Sequence, residues 1–391
     1  MLDRLDQQPP DALLALIKLH DADPRADKID LGVGVYRTAD GATPVFAAIK
    51  AAEKRLVEEQ GSKAYLGPEG DMAFVHALMP HVFGADPTRG GRIEGMQTPG
   101  GTGAVRLALA LAKRSGVTRV LMGVPSWPNH AQIVADLGME LVSFSHATAD
   151  GAADLDALAT ALQSAREGDA VMLHGCCHNP TGIDYTPEQW DEIAKLLASS
   201  PALPIIDLAY QGLGEGMEED AYGTRTVLAN VAEALVAYSC DKNFGLYRDR
   251  VGALYVQAAD AGQIDRIMSN GHALARANWS MPPDHGAAAV GMILSDSEMT
   301  AQWLAELSEM RDRIRSVRQA LAEAGKAGAV DLTALGRQHG MFAMLPLDKA
   351  QVDAIRTDHG VYMAGSGRIN VAGLTLANLP KFISAVTAVS S

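Results

Sequence analysis

Between residues 120 and 238 short apolar runs alternate with longer stretches in which apolar positions recur every three or four residues. The runs at 120–124, 141–144, 170–174, 203–206 and 235–238 are too short for helices and are bounded by polar or turn residues. The stretches at 131–137, 155–164 and 187–198 carry helical spacing. Strand-like runs that alternate with helices predict a largely parallel sheet with helices on both faces. Upstream, Leu13, Leu14, Ile17 and Leu19 form a short helical pattern that stops at Asp23-Pro24, residues 44–60 predict a helix, and 63–67 predict a loop. A glycine-rich turn at 98–106 opens an apolar helix over 107–113. After residue 296 the period changes: Met299, Trp303, Leu307, Met310, Ile314, Val317 and Leu321 step by fours and threes, a long helix with one buried stripe. Strands over 341–347 and 361–371 and a helix from about 376 to 389 complete the pattern.

A chain of 391 residues is too long for one core of usual size. The pattern gives a polar arm over 1–10 ending in Pro9-Pro10, a large α/β domain over 41–296, and a smaller α+β domain from 11–40 with 297–391. The formal charge of −14 argues against nucleic acid or an anionic membrane as partner, since both need a basic footprint. An anionic ligand must therefore be held by a few local arginines. Cys176, Cys177 and Cys240 make no disulfide framework, and no apolar run is long enough for a signal peptide or a membrane span, so a cytoplasmic location is expected.

In open α/β sheets ligands collect at the carboxyl ends of the strands. There the chain places Trp127, Asn179, Asp207, Tyr210 and Lys242: an aromatic plate, an amide, a carboxylate, a phenol and an amine. Ser239 precedes Lys242 by three positions and Arg250 follows it by eight. A lysine at a strand end beside a hydroxyl and a guanidinium suits a Schiff base with a phosphate-bearing cofactor; the alternative is a solvated lysine in a surface loop. The turn at 98–106 suits a phosphate cradle, the alternative being a plain glycine-bearing helix entry. Gly32 and Gly34 do not make a dinucleotide fingerprint, because Arg37 stands where the third glycine belongs. His174, His178, Cys176 and Cys177 lack a spaced second pair, so no metal is expected and packing roles are. Asp249 is given no role.

Pyridoxal phosphate needs an amine for an imine, a carboxylate at its ring nitrogen, donors to its ring oxygen, an aromatic face and an anion cradle. The order glycine-rich turn, Trp127, Asn179, Asp207, Tyr210, Lys242, Arg250 offers each. With it the chain resembles the aspartate/aromatic aminotransferase family of fold type I pyridoxal-phosphate enzymes. The resemblance runs from Gly32-Val33-Gly34-Val35-Tyr36 to Ser366-Gly367-Arg368-Ile369-Asn370-Val371-Ala372-Gly373. Its most specific motifs are His174-Gly175-Cys176-Cys177-His178-Asn179-Pro180-Thr181-Gly182 and Ser239-Cys240-Asp241-Lys242-Asn243-Phe244-Gly245.

The resemblance implies a mostly parallel seven-stranded sheet in the large domain and a homodimer with shared active sites. It implies that Lys242 binds the cofactor and shuttles a proton, that Asp207, oriented by His130, meets the ring nitrogen, and that Tyr210 and Asn179 hold the ring oxygen. Trp127 stacks on the ring and reaches the substrate carboxylate. Gly101, Thr102, Ser239 and Arg250 hold the phosphate, with Tyr65 from a second subunit. Arg368 grips the substrate α-carboxylate near Gly34, and Arg276 reaches across the dimer to a distal carboxylate. The expected reaction transfers an amino group from an aromatic amino acid or aspartate to 2-oxoglutarate. The alternatives are a strict aspartate aminotransferase, favoured by Arg276 and Thr102, a lyase or decarboxylase on the same scaffold, and a non-catalytic regulator. Two departures stand out. Asp241 replaces the usual serine; strand alternation predicts that it faces away from Lys242 and caps a backbone N–H, the alternatives being that it faces the phosphate, where Arg250 must neutralise it, or faces the lysine's imine and raises its pKa. Met281 and Ala64 replace polar groups around Arg276, which favours an aromatic donor.

Overall fold

The computed structural model describes residues 1–7 and 12–391; residues 8–10 of the expected arm lie outside the described residues. The chain divides into two compact units, Met1–Thr43 with Arg313–Ser391 and Pro44–Asp312. The division falls inside a long helix rather than at residue 297, because one continuous helix conceals where its buried stripe changes surroundings. Trp303 lies in the larger unit, whereas Val317 and Leu321 belong to the core of the smaller.

The chain enters the smaller unit through α1 (Ala12–Ala22) and β1 (Ile29–Asp30). The larger unit follows with α2 (Ala47–Glu59), α3 (Met72–Phe83), β2 (Ile93–Pro99), α4 (Gly100–Arg114), β3 (Arg119–Val124), α5 (Pro128–Asp136), β4 (Glu140–Ser145) and α6 (Leu155–Gln163). Then come β5 (Asp169–His174), α7 (Pro187–Ser199), β6 (Leu203–Leu208), α8 (Tyr222–Asn230), β7 (Ala234–Ser239), β8 (Val251–Gln257), α9 (Ile264–Asn278) and α10 (His285–Ser295). The sheet has seven strands in the order β2-β8-β7-β6-β5-β3-β4. All run one way except β8, which is antiparallel to β7 and β2. The five apolar runs are β3 to β7. Strand β2 escapes the pattern because it buries Gln97 and Thr98 completely, whereas β8 is an apolar run from Val251 to Val256 that sequence reasoning missed. Gln97 is satisfied in place: its amide donates to Pro283 O at 2.7 Å and accepts from Asp71 N at 2.8 Å.

Helix starts follow capping chemistry. Thr186 and Gln189 form a capping box around Pro187 at the start of α7, and Asp71 and Asp154 accept the free N–H groups of α3 and α6. The core of the unit packs Leu107 and Leu111 of α4, Ile133 and Val134 of α5 and Met268 of α9 with sheet residues such as Val120, Met172, Ile205 and Leu254. Burying each large aliphatic side chain contributes about 1.5–3 kcal/mol.

The long helix α11 (Ser297–Glu323) leads to β9 (Lys326–Ala327), β10 (Val330–Asp331), β11 (Phe342–Met344), α12 (Lys349–His359), β12 (Val361–Tyr362), β13 (Arg368–Asn370) and α13 (Leu379–Ser390). In the smaller unit β1 pairs in parallel with β12, and β11 pairs antiparallel with β13. The expected strand at 361–371 is broken in two at Gly367, whose φ of +84° and lack of room for a Cβ against Leu345 O require glycine. Buried Arg318 donates to the carbonyls of Leu335, His339, Gly340 and Phe342, a role with no sequence signal.

Trp303 is fully buried, stacks on Phe244 with ring centroids 4.2 Å apart and donates Nε1–H to Asn243 O at 2.7 Å. The helix thereby holds the segment that follows Lys242. Trp303→Ala is expected to lower unfolding free energy by about 3–5 kcal/mol, read from urea denaturation followed by circular dichroism. A loss below about 1 kcal/mol, the size of a single hydrogen bond, would show that this packing does not support the segment.

Candidate active site

Parallel pairing sets His174 opposite Asp207, and Asp207 opposite Ala237, near the carboxyl ends of β5, β6 and β7. Asp207 is nearly buried, and its Oδ2 lies 2.8 Å from His130 Nε2. Burial acts to raise the Asp207 carboxyl, but the His130 hydrogen bond and nearby positive charge outweigh it and hold the carboxyl below its ordinary value. Lys242 follows the end of β7, with Nζ 5.2 Å from the centre of the Tyr210 ring. Burial lowers the Lys242 ammonium pKa, against the raising influence of Asp241 and Asp207. Asn179 Nδ2 donates to Tyr210 Oη at 3.3 Å, while the buried Asn179 Oδ1 has no hydrogen-bond partner among the described residues. Trp127 precedes α5, and its ring stands edge-on to His130 at 5.1 Å.

Behind Asp207 the imidazoles continue. Ser126 Oγ lies 3.1 Å from His130 Nδ1 and 3.2 Å from His174 Nε2; the His174 ring is 4.3 Å from His178, and His178 stacks on His146 at 3.5 Å. Burial and the neighbouring His130 push His174 down to about 3, and burial lowers His178 and His146 as well. These rings are therefore neutral hydrogen-bonding and packing groups near neutral pH. Sequence reasoning gave His174 and His178 packing roles but missed Ser126 and His146, whose proximity comes from strand order and not from spacing.

The first turn of α4 lies beside the starts of the return strand. Ser239 and Thr98 both pair with Gly252, so the end of β7 and the end of β2 flank the first residues of β8. Gly101 packs on Ser239: a Cβ there would come 2.8 Å from Ser239 Cβ. No side chain caps α4, whose first amides are left to a ligand or water, and Thr102 lies half-buried in that turn. Arg250, immediately before β8, pairs with Asp241 and donates to Tyr247 O at 3.2 Å. The expectation for Asp241 holds in one part and fails in another. Its Oδ1 accepts from Val251 N at 3.1 Å, as a cap, but its Oδ2 takes the Arg250 guanidinium. β7 ends at Ser239, so strand alternation does not reach Asp241.

Tyr65 is 95% exposed and Arg276 is exposed, donating to Ser280 Oγ; neither joins the hydrogen-bonded cluster around Lys242. Their segments meet, however, since Leu66 N lies 3.0 Å from Met281 Sδ. In the smaller unit Arg368 donates to Gly32 O at 3.0 Å and lies 4.7 Å from the centre of the Phe342 ring, which also packs on Gly34. Cys176, Cys177 and Asp220 bring ligand-type atoms within 4.8 Å of one another, but Asp220 accepts from the backbone N–H groups of Gly212, Gly214 and Glu215. Among the described residues no helix is long and apolar enough to cross a membrane.

The family described as aminotransferase class I and II matches residues 26–386. A tyrosine aminotransferase of Rhizobium meliloti (strain 1021) is 49% identical over 378 residues, covering 96% of this chain and 97% of that protein. An aspartate aminotransferase of Escherichia coli (strain K12) is 43% identical over 395 residues and all of both chains. The aromatic-amino-acid aminotransferase of Burkholderia pseudomallei, solved covalently bound to pyridoxal phosphate, superposes with a TM-score of 0.95 at 36% identity, again over all of both chains. The chain belongs to the aminotransferase class I and II family, whose members are pyridoxal-phosphate-dependent.

Proposed function

We propose that the protein is a homodimeric pyridoxal-phosphate aminotransferase that takes its amino group from an aromatic amino acid or aspartate and passes it to 2-oxoglutarate. The observation that carries this reading is the convergence of Lys242, Asp207, Tyr210 and Asn179 at neighbouring strand ends. The donor set fits the cofactor. Asn179 Nδ2 and Tyr210 Oη, buried and 3.3 Å apart, offer N–H and O–H donors to a ring oxygen, and a Cβ at Gly100 or Gly101 would meet Arg250 or Ser239. When bound, pyridoxal phosphate supplies a carbonyl that condenses with amines and a ring that withdraws electrons from the substrate Cα.

The chain's residues do the rest. Gly101, Thr102, Ser239 and Arg250 bind the phosphate, with the uncapped start of α4 contributing its amides. Asp207, kept ionised by His130, holds a proton on the ring nitrogen. Tyr210 and Asn179 orient the ring oxygen, and Trp127 covers one ring face and excludes water. Lys242 would take the proton from the substrate Cα, and its lowered pKa favours the neutral amine this requires. Arg368, beside Gly34, receives the α-carboxylate as a bidentate fork. Tyr65 and Arg276 are exposed on adjoining segments, which suits contributions to the partner's site: Tyr65 to the phosphate and Arg276 to a distal carboxylate.

Donor choice is read from Arg276 together with Ala64 and Met281, which by the family resemblance stand where polar groups surround that arginine. Arg276→Leu is expected to cost aspartate about 2–5 kcal/mol in kcat/KM, the range for a charge left without its partner. Phenylalanine should be nearly unaffected, because its ring needs only apolar contact. Steady-state kinetics with both donors against 2-oxoglutarate test this, and equal losses would show that Arg276 is structural. Mixing a Lys242→Ala chain with an Arg276→Asp chain adds the dimer test: activity toward aspartate should rise, since one hybrid site is free of both lesions. No rise, with hybrids confirmed by mass, would mean that each site is built within one chain.

A further inference from the structure

The phosphate cradle carries a residue that works against an anion. We propose that Asp241 is a positioning residue that fixes Arg250 by an ion pair and makes phosphate binding by the cofactor proton-linked. The proposal rests on the assignment of the turn at Gly100, Ser239 and Arg250 as the phosphate cradle.

Three features support it. First, Asp241 is 1% exposed and both of its oxygens are engaged, Oδ1 by Val251 N–H at 3.1 Å and Oδ2 by Arg250, so it cannot turn outward without stripping the first amide of β8. Second, Arg250 has a φ of 58°, a left-handed conformation uncommon for residues other than glycine, and its side chain is held by Asp241 and by Tyr247 O at 3.2 Å. Both contacts are made by Nη1, which anchors one edge of the guanidinium and leaves the rest of it, 40% exposed, available to an anion. Third, a Cβ added to Gly100, whose φ is +70°, would come 2.5 Å from Arg250 Nη2 and 2.8 Å from Asp241 Oδ2. Both members of the pair therefore line the turn that opens α4.

The charges then do not balance in the ordinary way. The titratable groups facing Asp241 are Arg250, Lys242 and the Cys240 thiol. Burial raises the Asp241 carboxyl, while Lys242 and Arg250 act to lower it. In the cofactor-free protein Asp241 already neutralises Arg250. A phosphate arriving as a dianion, its form above pH about 6, meets a cation that is shared with a carboxylate. Like charges at close range favour the protonated form of one of them, so a proton enters the cluster, onto Asp241 or onto the phosphate. A neutral side chain at this position would impose no such uptake.

The test uses the full-length protein freed of cofactor, with pyridoxal phosphate and pyridoxal as probes. Pyridoxal lacks the phosphate but condenses with the same lysine, so the ratio of the two dissociation constants isolates the cradle. Calorimetric titrations at pH 8 in buffers of differing ionisation enthalpy count protons. The wild type should take up about one proton more per site with pyridoxal phosphate than with pyridoxal, and D241S and D241N about none. Between pH 7 and 9 the phosphate's advantage should fall by up to about tenfold per pH unit in the wild type and stay flat in both variants. Pyridoxal that still condenses with Lys242, read from the visible absorbance of the imine, would establish that the variant sites are folded. Equal proton counts in wild type and variants would overturn the proposal. A wild type that binds pyridoxal but gains nothing from the phosphate would overturn the cradle assignment on which it rests, a result distinct from the first.

Discussion

Lys242→Ala is expected to lose turnover by about 10⁴-fold or more while still retaining the cofactor. The two halves of this expectation have separate physical sources. Retention depends on Asp207, Asn179, Tyr210, Ser239 and Arg250, none of which is positioned by the Lys242 side chain. The segment around Lys242 is fixed by its neighbours: Asn243 Nδ2 donates to Tyr238 Oη at 2.9 Å and to Gln211 O at 3.2 Å, and Phe244 stacks on Trp303. Truncating the lysine therefore removes an amine and leaves the backbone in place. Turnover depends on that amine, because burial lowers its pKa and so favours the neutral form that can accept a proton. The check is steady-state kinetics together with the visible absorbance of the lysine-bound cofactor, which should disappear. Partial rescue by a small added amine would confirm that the missing group is the base. Near-normal turnover without added amine would remove Lys242 from the chemistry.

The strand ends were legible from sequence because two independent patterns coincide there. The apolar runs in β3, β5, β6 and β7 each lead within a few positions to a residue with distinctive chemistry: Trp127, Asn179, Asp207 with Tyr210, and Lys242. Periodicity fails where polar groups are buried with their hydrogen bonds intact. Gln97 and Thr98 in β2 lie inside the sheet, so that strand does not read as apolar. Alternation fails for Asp241 because it applies only while the chain is extended, and β7 stops at Ser239. The imidazoles behind Asp207 required the strand order: His146 and His178 are far apart in sequence and stack only because β4, β3 and β5 are neighbours in the sheet. Tyr65 and Arg276 were singled out by resemblance alone. Their exposure and the meeting of their segments are properties of the fold that no local spacing encodes.

Asp207→Asn is expected to lower kcat by about 10²–10³-fold with a much smaller effect on substrate KM, because it removes a charge aimed at the reacting system and not a binding group. The substitution conserves shape. An asparagine can keep a hydrogen bond to His130 and the place beside Ala237, so any loss is assigned to charge. Burial alone would make that charge costly. The contact with His130 Nε2 at 2.8 Å, and positive charge nearby, hold the carboxyl below its ordinary value instead. The sign of the linkage follows. A carboxyl depressed in the folded state contributes stability that is fully present above its unfolded pKa of about 3.9 and is lost as pH falls through the lower folded value. Asp207 should therefore set no acid limb in the activity profile near neutral pH. Asp207→Asn should also flatten the fall in unfolding free energy below about pH 4, the window in which only the unfolded carboxyl binds a proton. Two measurements separate the possible roles. If Asp207 acts on the cofactor ring, kcat per folded molecule falls, whatever stability is lost with the carboxylate at pH 7. If it only organises the buried histidines, the melting temperature falls and kcat per folded molecule is retained, and that result would sink the assignment.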